Sequence, residues 1–154
     1  CRNWQLIVAG HDPLEGQPYL SHCKSLLEQY RLTEQVIFLG FIENTNTFYQ
    51  AVDIVTMFSR EEPLGRVPLE AGACYRPTIA TRVGGLPETI RDGLTGWLVD
   101  LENVEQQTFI LNHVMSLELK EYGFRARDWV ESIASPQIYI ENLNTIYRKL
   151  LDKA

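Results

Sequence analysis

The chain predicts an α/β fold on a doubly wound parallel sheet, from three observations: five short apolar runs of strand character, segments of helical spacing between them, and only helical patterns after Glu102. Strands that alternate with helices are joined by right-handed crossovers, so helices cover both faces of about five strands. A chain of 154 residues buries roughly 70% of its unfolded surface. One compact unit spanning residues 1–154 is therefore expected.

The elements follow in order. "WQLIVAG" is a continuous apolar run ending in Gly10, the pattern of a strand buried on both faces, and "GQPYLSHCKSLLEQYRL" then repeats apolar residues at helical spacing. "QVIFLGF" is strand-like, "NTNTFYQAVD" helical, "IVTMFS" strand-like, and "RVPLEAGACY" helical after its turn. "PTIAT" and "TGWLV" supply two more strands, joined by "GLPETIRDG", a short helix closed by an Asp-Gly turn. Helices follow in "NVEQQTFILNHVMSLELK", "EYGFRARDWVESI" and "SPQIYIENLNTIYRKLLDK", the last capped by Ser135 with Pro136 in its first turn. Trp97 and Trp129 are expected in the core, Cys74 as a small buried residue, and the aromatic run of the last helix as its packing face.

Composition excludes several classes. No apolar run approaches the ~20 residues of a membrane span. A net charge of -6, with 14 basic residues scattered along the chain, argues against nucleic acid, which is bound by clustered Lys and Arg. Cys1, Cys23 and Cys74 are odd in number and lack a CxxC pair, so they read as reduced thiols of a cytosolic protein. His11, His22 and His113 show no metal-ligand spacing. The chain opens on Cys and runs straight into a strand, which leads us to expect a piece of something longer.

In open parallel sheets ligands bind beyond the carboxyl ends of the strands. The candidate loops are "HDPLEG", "GFIEN" and "SREEPLGR". In the third, Gly65 can take a positive φ, and the helix behind it offers unpaired N–H groups to an anion such as phosphate. Pro68 favours a helix start near Arg66 or Val67. A carboxylate repels phosphate, so Glu62 and Glu70 suit hydroxyls on either side of it, the layout of a nucleotide sugar. Glu70 is equally what a helix dipole would favour in its first turn, Glu62 equally a solvated loop acid, and Arg66 either a diphosphate partner or a surface residue.

"EPLGRVPLEAGACYRPTIATRVGGLPETIRDGLTGWLV" resembles the signature region of the retaining glycosyltransferases of family 4 (glycosyl transferases group 1), with their E-x7-E motif as Glu62 and Glu70. "LIVAG", "VIFLGF", "GGLPE", "DGLTGWLV" and the terminal helices follow in that family's order. The resemblance implies the donor-binding, Rossmann-like C-terminal domain of a B-type glycosyltransferase fold. It implies that Glu62 contacts hydroxyls of the transferred sugar near the reacting carbon, and that Glu70 holds the ribose. The backbone of Leu64, Gly65, Arg66 and Val67 would hold sugar and diphosphate, and Phe41, Ile42 and Glu43 would meet the nucleobase. Gly84 and Gly85 match a glycine pair beside the cleft, for which a tight turn needing positive φ remains an equal reading.

The implied reaction is transfer of a sugar from a nucleoside diphosphate to an acceptor hydroxyl with retention, without a cofactor or a metal. A retaining hydrolase would need two carboxylates about 5 Å apart, which this motif does not resemble. The family is thought to use a same-face displacement assisted by the leaving diphosphate. The acceptor, a glycan or lipid-linked sugar in surface polysaccharide synthesis, would be bound by an N-terminal domain. The expected location is cytoplasmic or membrane-peripheral.

Three features depart from the pattern. The family places an Arg and a Lys, both on the diphosphate, in a strand and helix ahead of "WQLIVAG", and its acceptor-binding N-terminal domain supplies the other half of the cleft, so the fragment alone is expected to be inactive. Its usual glycine before the fourth strand is here Tyr75, so either the helix ends differently or Tyr75 is strained, at a cost on the order of 1 kcal/mol in a left-handed cap. A non-catalytic nucleotide-binding or interaction module of the same fold is the alternative. A flavodoxin-like signalling domain leaves the glutamate pair unexplained.

Overall fold

The computed structural model describes residues 4–152; Cys1, read above as a reduced thiol, lies outside them. Two compact units are present, residues 1–45 and 46–154.

In the first unit, β1 (Leu6–Ala9) and β2 (Val36–Gly40) pair in parallel through α1 (Pro18–Gln29) and a 3-10 turn at Thr33–Gln35. The ladder runs from Leu6 opposite Val36 to Val8 opposite Phe38, then slips so that Ala9 faces Gly40. Gln17, at the start of α1, is left-handed (φ 48°) and offers no side-chain cap. Asp12 does so instead, accepting from the amides of Leu14 (3.1 Å), Tyr19 (2.8 Å) and Leu20 (3.2 Å). Partial desolvation works to raise the Asp12 pKa, but those three amides outweigh it and hold the carboxyl below its usual range. The prediction that β1 is buried on both faces fails: Leu6 is exposed and residues 7–9 are half-buried. Within this unit β1 has a single ladder partner and one crossover helix, too little to cover two faces.

The second unit carries β3 (Val55–Met57), β4 (Thr78–Thr81) and β5 (Gly96–Val99), parallel and in that order, with α2 (Thr45–Gln50) leading into it. Between the strands lie α3 (Arg66–Ala73) and α4 (Leu86–Thr89); α5 (Val104–Val114), α6 (Lys120–Ala134) and α7 (Pro136–Leu151) follow. Here the two-faced burial holds, because side chains alternate across a strand. Ile79, Trp97 and Val99 pack with Val114 of α5, and Ala80 and Leu98 pack with Leu86 and Ile90. A third cluster joins Tyr49, Val55 and Ala71. The five expected strands are all present, as a pair and a triplet of parallel neighbours.

α3 ends in a Schellman motif, with Arg76 N–H on the carbonyl of Ala71 and Tyr75 N–H on that of Gly72, both at 2.9 Å. Tyr75 is left-handed (φ 61°), so of the two readings of the missing glycine the strained one holds. Contacts from α6 hold it there: its ring meets Phe124 edge-on at 5.6 Å, and the Arg127 guanidinium lies 5.6 Å from the ring while donating to the Ala73 carbonyl at 2.7 Å. Ser135 caps α7 as expected, accepting from Ile138 N–H at 3.4 Å.

Four further expectations fail. α5 stops at Val114 rather than running to Lys120, because Ser116 turns its hydroxyl onto the His113 carbonyl (2.6 Å) and so competes with the helical bonds. Trp129 is only half-buried; its indole N–H donates to the Thr89 carbonyl at 3.1 Å and Arg91 lies 3.8 Å over its ring. Cys74 is half-buried too, its thiol donating to Asn46 Oδ1 at 3.2 Å. The apolar stripe of α7 is left uncovered: Tyr139, Ile140, Ile146, Tyr147, Leu150 and Leu151 are exposed, because α7 packs chiefly on one neighbouring helix, α6.

Candidate functional site

The loops at the carboxyl ends of β3 and β4 meet. Thr81, the last residue of β4, is buried and donates its hydroxyl to the Ser59 carbonyl at 2.6 Å, tying the strand to the loop that carries Glu62. The Glu62 carbonyl accepts from Gly85 N–H at 3.0 Å. Gly84 is left-handed (φ 50°), and a Cβ there would collide with the Glu62 carbonyl; one at Gly85 would come 2.6 Å from the Pro63 carbonyl and 2.7 Å from Leu64 Cα. The glycine pair is therefore required by close backbone approach, and the turn reading holds for Gly84.

Glu62 turns its own carboxylate inward, Oε1 accepting from Gly65 N–H at 2.9 Å. Gly65 is the left-handed N-cap of α3 (φ 89°), buried so tightly that a Cβ would lie 2.6 Å from Leu86 Cδ2. α3 then starts at Arg66, as Pro68 in its first turn predicts. The amides of Arg66 and Val67 meet no acceptor among the described residues, whereas the Gly65 amide, also expected to serve an anion, is taken by Glu62.

Glu70 lies beyond the first turn of α3, so the dipole explanation for it lapses. Its two oxygens are held separately. Oε2 accepts from the Tyr49 hydroxyl at 3.1 Å and Oε1 from Arg66 Nη2 at 3.1 Å. The Arg66 side chain is 83% exposed and that of Glu70 33%, so this ion pair is a weak surface contact of about 0.5 kcal/mol or less. The phenol differs, since Tyr49 is 5% exposed. Burial, then the Glu70 charge, pushes its pKa far above the usual range, and it remains a donor throughout. Burial likewise raises the Cys74 thiol, which makes it a neutral donor rather than a nucleophile.

Thus Glu62, Leu64, Gly65, Arg66, Val67, Glu70, Gly84 and Gly85 share one neighbourhood in the second unit. Phe41, Ile42 and Glu43 follow β2 in the first unit, where Phe41 is exposed with His11 edge-on at 6.4 Å, Ile42 is half-buried and Glu43 is exposed. Three residues were missed from sequence: Tyr49, Thr81 and Arg76, the last donating to the carbonyls of Tyr49 and Gln50 at 2.9 Å each. None of the three stands in a pattern that marks it, since the helical neighbours of Tyr49 include Thr45, Asn46 and Asp53. Among the described residues no three His, Cys, Asp or Glu side chains are grouped as a metal requires, and no helix is long and apolar enough to cross a membrane.

The family model described as glycosyl transferases group 1 matches residues 2–129. The D-inositol 3-phosphate glycosyltransferase of Mycobacterium bovis (strain BCG / Pasteur 1173P2) is 35% identical over 115 residues, 73% of this chain and 24% of that protein. The chain thus spans about a quarter of the length of the curated relatives it matches. Among solved structures, the C-terminal domain of a glycosyl transferase group 1 family protein (LpcC) from Francisella tularensis superposes with a TM-score of 0.77 at 29% identity, covering 86% of this chain and 71% of that one. The Anabaena protein HepE in complex with UDP superposes with a TM-score of 0.84 at 23% identity, covering 98% of this chain and 41% of that one, and is similar in fold.

Proposed function

Because this chain belongs to the glycosyl transferases group 1 family, we propose that it holds a nucleoside-diphosphate sugar and serves, within a larger enzyme, to transfer that sugar to an acceptor hydroxyl with retention of configuration. The observation that carries this reading is a left-handed Gly65 turn with a carboxylate on each side and the unpaired amides of Arg66 and Val67 between them. Amides at a helix start suit a diphosphate, and carboxylates suit the hydroxyls of the two sugar rings that flank it. Glu70 takes the ribose and Glu62 the transferred sugar, with Leu64 and Gly65 shaping the turn, Gly84 and Gly85 admitting it, and Phe41, Ile42 and Glu43 meeting the base.

Departure of the diphosphate leaves positive charge on the sugar and negative charge on the phosphate. The helix start and Arg66 stabilise the latter, and the leaving oxygen takes the acceptor proton on the same face. No cofactor or metal enters this scheme. The acceptor, a glycan or lipid-linked sugar of surface polysaccharide synthesis, is bound by a separate N-terminal domain, in the cytoplasm or at a membrane surface. The 29% identical LpcC domain supports reading this chain as a C-terminal domain of the same family.

The test is calorimetric titration with UDP, GDP and ADP, each with and without an attached sugar. Glu70→Ala should weaken nucleoside diphosphate binding about tenfold or more, the scale of a hydrogen bond to a charged group. Glu62→Ala should leave that binding nearly intact and erase the gain from the attached sugar. Equal loss of all ligands in both variants overturns this division of roles.

A further inference from the structure

We propose that Tyr49 is a positioning residue for the donor, its hydroxyl fixing the Glu70 carboxylate so that the other oxygen, Oε1, is presented to the ribose. This rests on the assignment of Glu70 to the ribose. The two partners of Glu70 are unequal. Arg66 reaches Oε1 from an exposed side chain, and ligand hydroxyls replace it at little cost. Tyr49 reaches Oε2 from the buried cluster of Val55 and Ala71, where its own hydroxyl is shielded from solvent.

The phenol is itself held from behind. Arg76 donates from Nε to the Tyr49 carbonyl and from Nη2 to that of Gln50, 2.9 Å each, closing the end of α2. Arg76 is in turn aimed by the left-handed Tyr75, which ends α3, the helix that carries Glu70. The chain of contacts returns to α3, so α2, which carries the phenol, is registered against the helix that carries the carboxylate. When ribose takes Oε1, Arg66 is released beside the diphosphate that the adjacent amides receive.

The experiment measures dissociation constants of UDP and GDP and of their 2′,3′-dideoxy counterparts for the parent chain, Tyr49→Phe and Glu70→Ala, with the thermal midpoint of each. Phe keeps the ring and its packing and removes only the hydroxyl. Tyr49→Phe should lower the preference for the ribose ligand by roughly five- to tenfold and leave the dideoxy affinity unchanged, since only one charged hydrogen bond is disturbed. Glu70→Ala should erase the preference altogether. A preference that persists in Tyr49→Phe but vanishes in Glu70→Ala overturns the role of Tyr49 alone. If it persists in Glu70→Ala, or if the parent chain binds neither nucleotide, the ribose assignment falls and this proposal with it.

Discussion

Gly123 of α6 lies directly against the backbone carbonyl of Tyr75, so close that a Cβ at Gly123 would collide with it. That contact pins the left-handed turn ending α3. Gly123→Ala gains about 1 kcal/mol of helix propensity, yet the collision should leave the protein destabilised by roughly 1–2 kcal/mol in urea unfolding. Tyr75→Gly relieves about 1 kcal/mol of left-handed strain and loses a ring contact of about the same size, so its midpoint should barely move.

Gly84→Ala and Gly93→Ala both place a Cβ on a positive-φ residue, but only Gly84 faces a backbone obstacle; nothing lies within 4 Å of a Cβ at Gly93. Gly93→Ala should cost roughly 1–2 kcal/mol. Gly84→Ala should cost roughly 2–4 kcal/mol, strain plus overpacking, and weaken nucleotide-sugar binding by shifting the Glu62 loop. Thermal midpoints and calorimetry of the pair check both statements, and equal effects would refute the contact.

Thr78 and Thr81 share β4 and are both buried, yet the same substitution should act on them with opposite signs. The Thr78 hydroxyl has no partner among the described residues, whereas that of Thr81 holds the Ser59 carbonyl. Thr78→Val should be neutral or stabilising by up to about 1 kcal/mol, and Thr81→Val destabilising by roughly 1–2 kcal/mol. Denaturant midpoints measure the difference.

Against desolvation, Asp12 has its carboxyl pKa depressed by the amides of Leu14, Leu20 and Tyr19, the last two at the start of α1. Its stabilising contribution is complete above the ordinary value of about 3.9 and is lost as pH falls through the lower folded value. Carboxyl NMR should show Asp12 titrating below that value. In Asp12→Asn the start of α1, followed by amide exchange of Tyr19 and Leu20, should lose its sensitivity to acid in that range.

The strands of the second unit were legible because burial on two faces leaves an apolar run, and the turn at Gly65 because glycine before a proline-bearing helix start has few alternatives. The left-handed Tyr75 was legible only against the family pattern. Harder to foresee was the partner of Glu70: Tyr49 stands 21 positions away, and no spacing rule joins a phenol on one helix to a carboxylate on another. α7 misled for the opposite reason, since helical periodicity gives a stripe but not the surface that covers it. The 3-10 turn at Thr33–Gln35 is too short to carry any period.

The obstacle facing each glycine determines whether a second mutation can repair its loss. A Cβ at Gly72 would come within 2.7 Å of Val130 Cγ2 and 3.2 Å of the Ala126 carbonyl; a shorter residue at 130 removes the closer of the two, so Gly72→Ala has a partial suppressor. At Gly84 the obstacle is a peptide oxygen, and every residue that could stand at position 62 brings the same one. Selection at such a position has no partner to negotiate with, and the loop that carries Glu62 can change its side chain freely without ever releasing the glycine beneath it.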